Sequence, residues 1–168
     1  MTIEPATAED AGAVAQIHVD AWRAAYAGIV PDDYLAALSV GQRLEMWRKA
    51  IVDQVPELLV ARLDGRVIGW VSFGPSRDEG AAADAGEIWA IYLDPGQVAT
   101  GTGRALWLRT RDRLIERGFA SAMLWVLAGN ARAIRFYERA GFRLDADSAK
   151  RFTLGGREVE ELRYTTKL

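Results

Sequence analysis

Cysteine is absent from the 168-residue chain, and histidine occurs once, at His18. The lack of thiols excludes disulfides, thiolate metal sites and a cysteine that would carry an acyl group. With one histidine, a His-rich metal cluster is excluded, and a Ser-His-acid triad would depend on that residue alone. We therefore predict no metal site.

The chain also lacks a marked excess of either charge and any long apolar run. Its 21 Lys and Arg are scattered and nearly balance 23 Asp and Glu, for a net charge of −2. This balance gives no reason to expect nucleic acid or a membrane as a partner. The N-terminal MTIEPATAED shows no signal-peptide pattern, so we expect a cytoplasmic protein. Length and apolar content are typical of one globular domain, residues 1–168.

Hydrophobic periodicity predicts both helices and strands along the chain. A strand at 3–7 precedes helices at about 10–26, 31–38 and 42–52. Strands follow at 58–63, 66–73 and 87–93, the first two joined by the hairpin signal Asp64-Gly65 and the last two by a loop. Helices at 101–118 and 130–140 then alternate with strands at 122–127, 142–144 and 158–165. The predicted fold class is α/β: a single-domain mixed sheet, antiparallel plus parallel, with helices on both faces.

The segment QVATGTGRALW, residues 97–107, places two glycines at the start of a predicted helix. Small residues there would let a phosphate approach the unpaired helix amides. A P-loop is excluded because Arg104-Ala105 follows the last glycine in place of Lys-Ser/Thr, and a dinucleotide fingerprint is excluded by Leu106. A phosphate site and a simple Gly-rich turn both remain open, and Arg104 either contacts a phosphate or is solvated.

Three polar residues are further candidates. Asn130 and Tyr137 lie two helical turns apart and share one helix face, although the pattern alone favours structural roles, an N-cap for Asn130 and a half-buried core aromatic for Tyr137. Glu87 begins a predicted strand face that continues through Trp89, Ile91 and Leu93. It is either an exposed strand-end acid or a base whose pKa is raised by an apolar cleft.

Three stretches, GEIWAIYLDP, VATGTGRALW and NARAIRFYERAGFR, together resemble the GNAT superfamily of acyl-CoA-dependent N-acetyltransferases. The earlier stretch DAWRAAYAGIVPDDYL is similar to the first two helices of bacterial members, which wall the acceptor side. The resemblance implies a GNAT fold, acetyl-CoA as co-substrate and a primary amine as acceptor. It also implies an acetyl-CoA-binding core at about 86–143 and acceptor-side helices at about 8–53. Because no cysteine can carry the acyl group, we expect direct transfer in a ternary complex.

The resemblance also assigns roles to residues. Glu87 would be the base, acting directly or through water, and Tyr137 the general acid that protonates the thiolate. Asn130 would hydrogen-bond the cofactor. Backbone groups of the segment Ile91, Tyr92 and Leu93 would pair with the pantetheine arm. The amides that would hold the pyrophosphate belong to Val98, Ala99, Thr100, Gly101, Thr102, Gly103 and Arg104.

Two positions depart from the family pattern. Val98 stands where the glycine turn usually carries Gln or Arg, which predicts somewhat weaker cofactor affinity unless Gln97 compensates. Trp125 stands where the branch that acetylates ribosomal proteins has a Glu. This favours Glu87 as the base and argues against that branch's substrate.

The acceptor is the least determined part of the prediction. Trp22, Tyr26, Tyr34 and Trp89 either line a pocket for a small-molecule or peptide amine or belong to the core. His18 is either structural or in contact with the acceptor. A non-catalytic acyl-CoA-binding sensor or recruitment module and an unrelated nucleotide-binding domain are the alternatives, and either a monomer or a homodimer is compatible with the sequence.

Overall fold

The computed structural model describes residues 1–168 as a mixed α/β fold. The helices are α1 (Ala11–Ala25), α2 (Asp32–Ala36), α3 (Val40–Asp53), α4 (Thr102–Glu116) and α5 (Ala131–Arg139). The strands are β1 (Thr2–Pro5), β2 (Glu57–Leu63), β3 (Arg66–Pro75), β4 (Ala85–Leu93), β5 (Ser121–Leu127), β6 (Arg143–Leu144), β7 (Lys150–Leu154) and β8 (Arg157–Lys167).

All eight strands belong to one sheet in the order β1-β2-β3-β4-β5-β8-β6, with β7 paired to β8. Only β4 and β5 pair in parallel, through the crossover that contains α4, and every other pair is antiparallel. The fold class predicted from the sequence is therefore confirmed. The strand–helix–strand order of β5, α5 and β6 also predicts a parallel crossover, but it gives no parallel pair because β8 inserts between β5 and β6.

The two faces of the sheet carry different helices and separate cores. One core packs against α4 and α5 and includes Leu106, Trp107 and Phe142. The other packs against α1 and α3 and includes Val14 and Trp47. A smaller cluster lies under α2 and the β7–β8 hairpin. Helices α1–α3 thus cover the face opposite to α4 and α5.

The centre of the sheet opens into a fork. Strand β4 pairs with β5 only from Ala85 to Glu87. Beyond Glu87, β4 keeps only its partner β3 and β5 keeps only β8. The two strands therefore diverge and leave one edge of β4 without a strand partner.

A β-bulge marks the start of the fork. Ser72 pairs with Ala90 while Phe73 pairs with Ile88, so Trp89 is an extra residue in β4. The predicted common face of Glu87, Trp89, Ile91 and Leu93 is therefore wrong. Ile88, Ile91 and Leu93 pack on the α4 side, whereas Glu87 does not belong to that core.

Most predicted elements agree with the structure to within a few residues at their ends, and the hairpin at Asp64-Gly65 is confirmed. Strand β7 was not predicted, since its exposed residues give no apolar alternation. No helix has the length and apolar character needed to cross a membrane.

Candidate active site

The loop between β4 and α4 presents a row of unpaired amides. No backbone N–H from Val98 through Arg104 donates to a backbone carbonyl, and the first such donor of this helix is Ala105, to the carbonyl of Gly101 at 3.0 Å. Gly101 is the N-cap of α4 and has a φ of 95°. Free amides at the positive end of a helix dipole form a site for an anion such as a phosphate.

The open edge of β4 leads from this loop into the fork. Asp94 donates its N–H to the carbonyl of Ile68 in β3 at 2.9 Å. Since hydrogen-bonding direction alternates along an antiparallel strand, the N–H and C=O groups of Ile91 and Leu93 point away from β3, into the fork. The backbone of Tyr92 points toward β3, and its side chain lies on the α1 face.

A cavity of about 540 Å³ fills the fork between β4, β5, α1 and α5. Asn130, the N-cap of α5, and Tyr137, within α5, both line it, as their spacing predicted. The Asn130 side chain accepts from the N–H of Ala133 at 3.1 Å, so it is an N-cap that also keeps its own amide N–H groups available.

Tyr137 is nearly buried, and its hydroxyl makes no hydrogen bond within the protein. Burial, and then the nearby Tyr26, raise the pKa of the Tyr137 hydroxyl well above its ordinary value. The hydroxyl therefore stays protonated through the neutral range, as a proton donor must.

Glu87 is not in an open apolar cleft. Glu87 is 1% exposed, and its carboxylate is paired with Arg77 from the β3–β4 loop. The guanidinium carbon of Arg77 lies over the Trp89 ring, 4.2 Å from its centroid. Glu87 does not line the cavity, which begins one residue later at Ile88.

The acceptor-side aromatics form a hydrogen-bonded group. The indole N–H of Trp22 donates to the hydroxyl of Tyr92 at 2.9 Å, and the Tyr92 and Tyr26 hydroxyls lie 3.4 Å apart. His18 stacks on Tyr92 at 5.4 Å and accepts the indole proton of Trp47 at 3.0 Å. Burial lowers the pKa of His18 to about 4, so the imidazole is neutral.

Most of the predicted site residues meet at the cavity. Those lining it are Tyr26, Trp89, Ile91, Tyr92, Leu93, Val98, Ala99, Gly101, Gly103, Arg104, Asn130 and Tyr137. Trp22, Tyr34, Glu87, Thr100 and Thr102 do not. Trp22 and Tyr34 pack instead in the small cluster under α2.

Sequence reasoning missed three arginines of α5 that line the cavity, Arg132, Arg135 and Arg139. Their spacing of three and four residues puts them on one helix face, but that face is opposite to the predicted Asn130–Tyr137 face, so the predicted face did not indicate them. With Arg104 they give this side of the cavity a positive charge. By contrast, the pairing of Arg77 with Glu87 arises from a loop without periodicity, so no local pattern indicated it.

A split β4–β5 fork with an amide-lined helix N-terminus defines an acyl-CoA-dependent transferase fold. The Acetyltransferase (GNAT) family matches residues 14–142 of the chain. The chain belongs to this family and is an acyltransferase, which excludes the alternative of an unrelated nucleotide-binding domain.

Known relatives agree with this assignment. The chain is 34% identical over 163 residues to the uncharacterized N-acetyltransferase YuaI of Bacillus subtilis strain 168, covering 96% of this chain and 90% of the relative. Its fold is similar to the ribosomal-protein-alanine N-acetyltransferase of Brucella melitensis, with a TM-score of 0.79, 24% identity and full coverage of both chains. It is also similar to yncA, a putative acetyltransferase from Salmonella typhimurium solved with acetyl-CoA, with a TM-score of 0.77, 23% identity and coverage of 100% and 94%.

Proposed function

We propose that the protein transfers an acetyl group from acetyl-CoA to a primary amine by direct attack in a ternary complex. The observation that carries this proposal is the continuous path from the unpaired amides of residues 98–104, along the open β4 edge, to the free hydroxyl of Tyr137. The amine would be that of a small molecule or a peptide. A monomer and a homodimer are both compatible with this activity.

The residues along this path match the successive parts of acetyl-CoA. The amides of residues 98–104 match a diphosphate, and the positive side chains of Arg104 and Arg135 favour the same charge. The exposed backbone groups of Ile91 and Leu93 match the amides of a pantetheine arm lying alongside β4 as an added strand. Asn130 retains donors for the same arm.

Two residues would move protons. Acetyl-CoA supplies an activated thioester, and Tyr137 would donate its proton to the departing sulfur. Glu87 would receive the proton of the acceptor amine through a water, since Glu87 itself does not line the cavity whereas its neighbour Ile88 does. Arg77 would hold the Glu87 carboxylate in position for this step, because its backbone N–H and its guanidinium both donate hydrogen bonds to it.

A turnover screen tests the proposal. Release of the coenzyme A thiol from acetyl-CoA is followed with peptide N-termini, lysines, polyamines, amino acids and amine antibiotics. Tyr137→Phe should lower kcat by about 10²- to 10⁴-fold, the usual contribution of a general acid, without changing the Kd for acetyl-CoA. Tyr164→Phe is the matched control, since Tyr164 is also buried but lies outside the cavity.

The alternative, a non-catalytic acyl-CoA-binding module, predicts a different pattern. Acetyl-CoA would bind with the same affinity in both tyrosine variants, and no amine in the panel would release the thiol. Full turnover by Tyr137→Phe would show that the acid assignment is wrong.

A further inference from the structure

The register of β8 places the Glu161 side chain on the sheet face that α1 covers. Glu161 lies opposite Leu127 of β5 on one side and opposite Lys150 of β7 on the other. Directly opposed residues of antiparallel strands project to the same face. Leu127 packs with Trp22 and Tyr26, so Glu161 is directed toward the acceptor-side helices.

Glu161 is a half-buried carboxylate without a partner. It makes no hydrogen bond and no ion pair, and burial raises its pKa above the ordinary range. The carboxylates of Asp78 and Glu87 raise the pKa of Glu161 further, while Lys150 and Arg77 oppose them. A charged carboxylate in such surroundings gains free energy from any cation that reaches it.

The cations near Glu161 are already paired with other carboxylates. The network contains four carboxylates and three cations, and Glu161 is the carboxylate left over. The pairs are Arg77 with Glu87, Lys150 with Asp78, and Arg163 with both Asp78 and Asp145. The network therefore lacks one positive charge, at Glu161.

Tyr26 connects Glu161 to the cavity. Its side chain lines the cavity and packs in the cluster that contains Leu127, the cross-strand neighbour of Glu161. Burial raises the pKa of the Tyr26 hydroxyl, and the Glu161 carboxylate adds to this rise. Tyr26 in turn contributes to the raised pKa of Tyr137. Tyr26 thus links the cross-strand neighbour of Glu161 to the cavity that Tyr137 also lines.

We propose that Glu161 binds a positive charge of the acceptor, and that the preferred acceptors carry two amino groups. This inference rests on the proposed acetyl transfer. The nitrogen that attacks the thioester has to be neutral, so a lasting interaction with a carboxylate requires a second, protonated nitrogen. A diamine supplies both: one amine beside Tyr137, and one ammonium that gives the network its missing cation.

Matched substrates test the inference. The rates with 1,4-diaminobutane and 1-aminobutane, which differ by one ammonium group, are compared at saturating acetyl-CoA. The wild type should favour the diamine in kcat/KM by about 10- to 100-fold, the range expected for hydrogen bonding to a charged partner. Glu161→Gln should abolish this preference by raising the KM for the diamine. Glu158→Gln, on the same strand but solvent-exposed, should keep the preference.

Equal rates for the two amines in the wild type, or an equal loss for both in Glu161→Gln, would overturn the inference. Calorimetric titration of 1,4-diaminobutane into the complex of enzyme with coenzyme A gives a readout that needs no turnover. Binding that Glu161→Gln weakens, without thiol release from any amine, would support the anchor and refute the proposed transfer. Turnover of other amines without Glu161-dependent diamine binding would refute the anchor alone.

Discussion

Arg77 donates to both carboxylate oxygens of Glu87. Its backbone N–H reaches Oε2 at 2.8 Å and its Nε–H reaches Oε1 at 3.1 Å. The Glu87 side chain is 2% exposed, whereas that of Arg77 is 54% exposed. A buried charge at the start of the fork is therefore neutralised by a side chain from a surface loop.

Arg77→Ala should lower the free energy of unfolding by about 2–3 kcal/mol. Breaking a buried ion pair from one side costs about 3–5 kcal/mol, and the half-exposed guanidinium places this pair below that range. The double variant with Glu87→Gln should recover part of the loss, because no unpaired charge remains. Urea denaturation measures all three proteins.

Arg151→Ala is the control, since Arg151 is 68% exposed and pairs with Glu160 at the surface. Its loss should be below about 1 kcal/mol. Equal losses for Arg77→Ala and Arg151→Ala would show that Glu87 does not need its partner.

His18 should make stability depend on pH in the acid range. Burial lowers its pKa from 6.5 to about 4. The unfolded chain therefore binds more protons than the folded one between these values, and stability falls as the pH drops through this window. The loss should reach about 3 kcal/mol at pH 4, relative to a protein without the titrating group.

The variant His18→Gln provides the reference protein without the titrating imidazole, because the amide oxygen of Gln can still accept the indole N–H of Trp47. The difference between the two unfolding curves isolates His18 from the carboxylates that titrate in the same range. As the chain has one histidine, its imidazole NMR signals report the pKa directly. A measured pKa near 6.5 would contradict the buried, neutral state.

The sequence predicted those parts of the site that depend on local structure. Asn130 and Tyr137 share a face because helical geometry fixes their spacing, and the amide loop follows from two glycines before a helix. The bulge at Trp89 was not predictable, because it arises from the register between β3 and β4. The position of Glu161 depends on β8 inserting next to β5, a long-range pairing that no local pattern records.

Gly101→Ala should weaken acetyl-CoA binding about 10-fold as well as destabilise the fold. A φ of 95° costs a residue with a Cβ about 1–2 kcal/mol, so the loop should relax and misalign its free amides. Gly118→Ala is matched to it: Gly118 has a φ of 83°, open space around its Cβ position, and lies at the other end of α4. Both variants should lose similar stability, but only Gly101→Ala should raise the Kd, measured by calorimetry. An equal Kd for both variants would mean that the loop amides do not hold the diphosphate.

Val98→Gln should tighten acetyl-CoA binding about 2- to 10-fold. Val98 lines the cavity with its own N–H unpaired, and its side chain offers no hydrogen bond. An amide side chain at this position would add one donor to the diphosphate site, worth about 0.5–1.5 kcal/mol.

Gln97→Ala in the wild type is the companion measurement, because Gln97 is the neighbouring residue that can supply the same donor. If Val98→Gln leaves the Kd unchanged and Gln97→Ala raises it, Gln97 already fills the position. If neither variant changes the Kd, the backbone amides alone hold the diphosphate, and the side chain at position 98 has no part in binding.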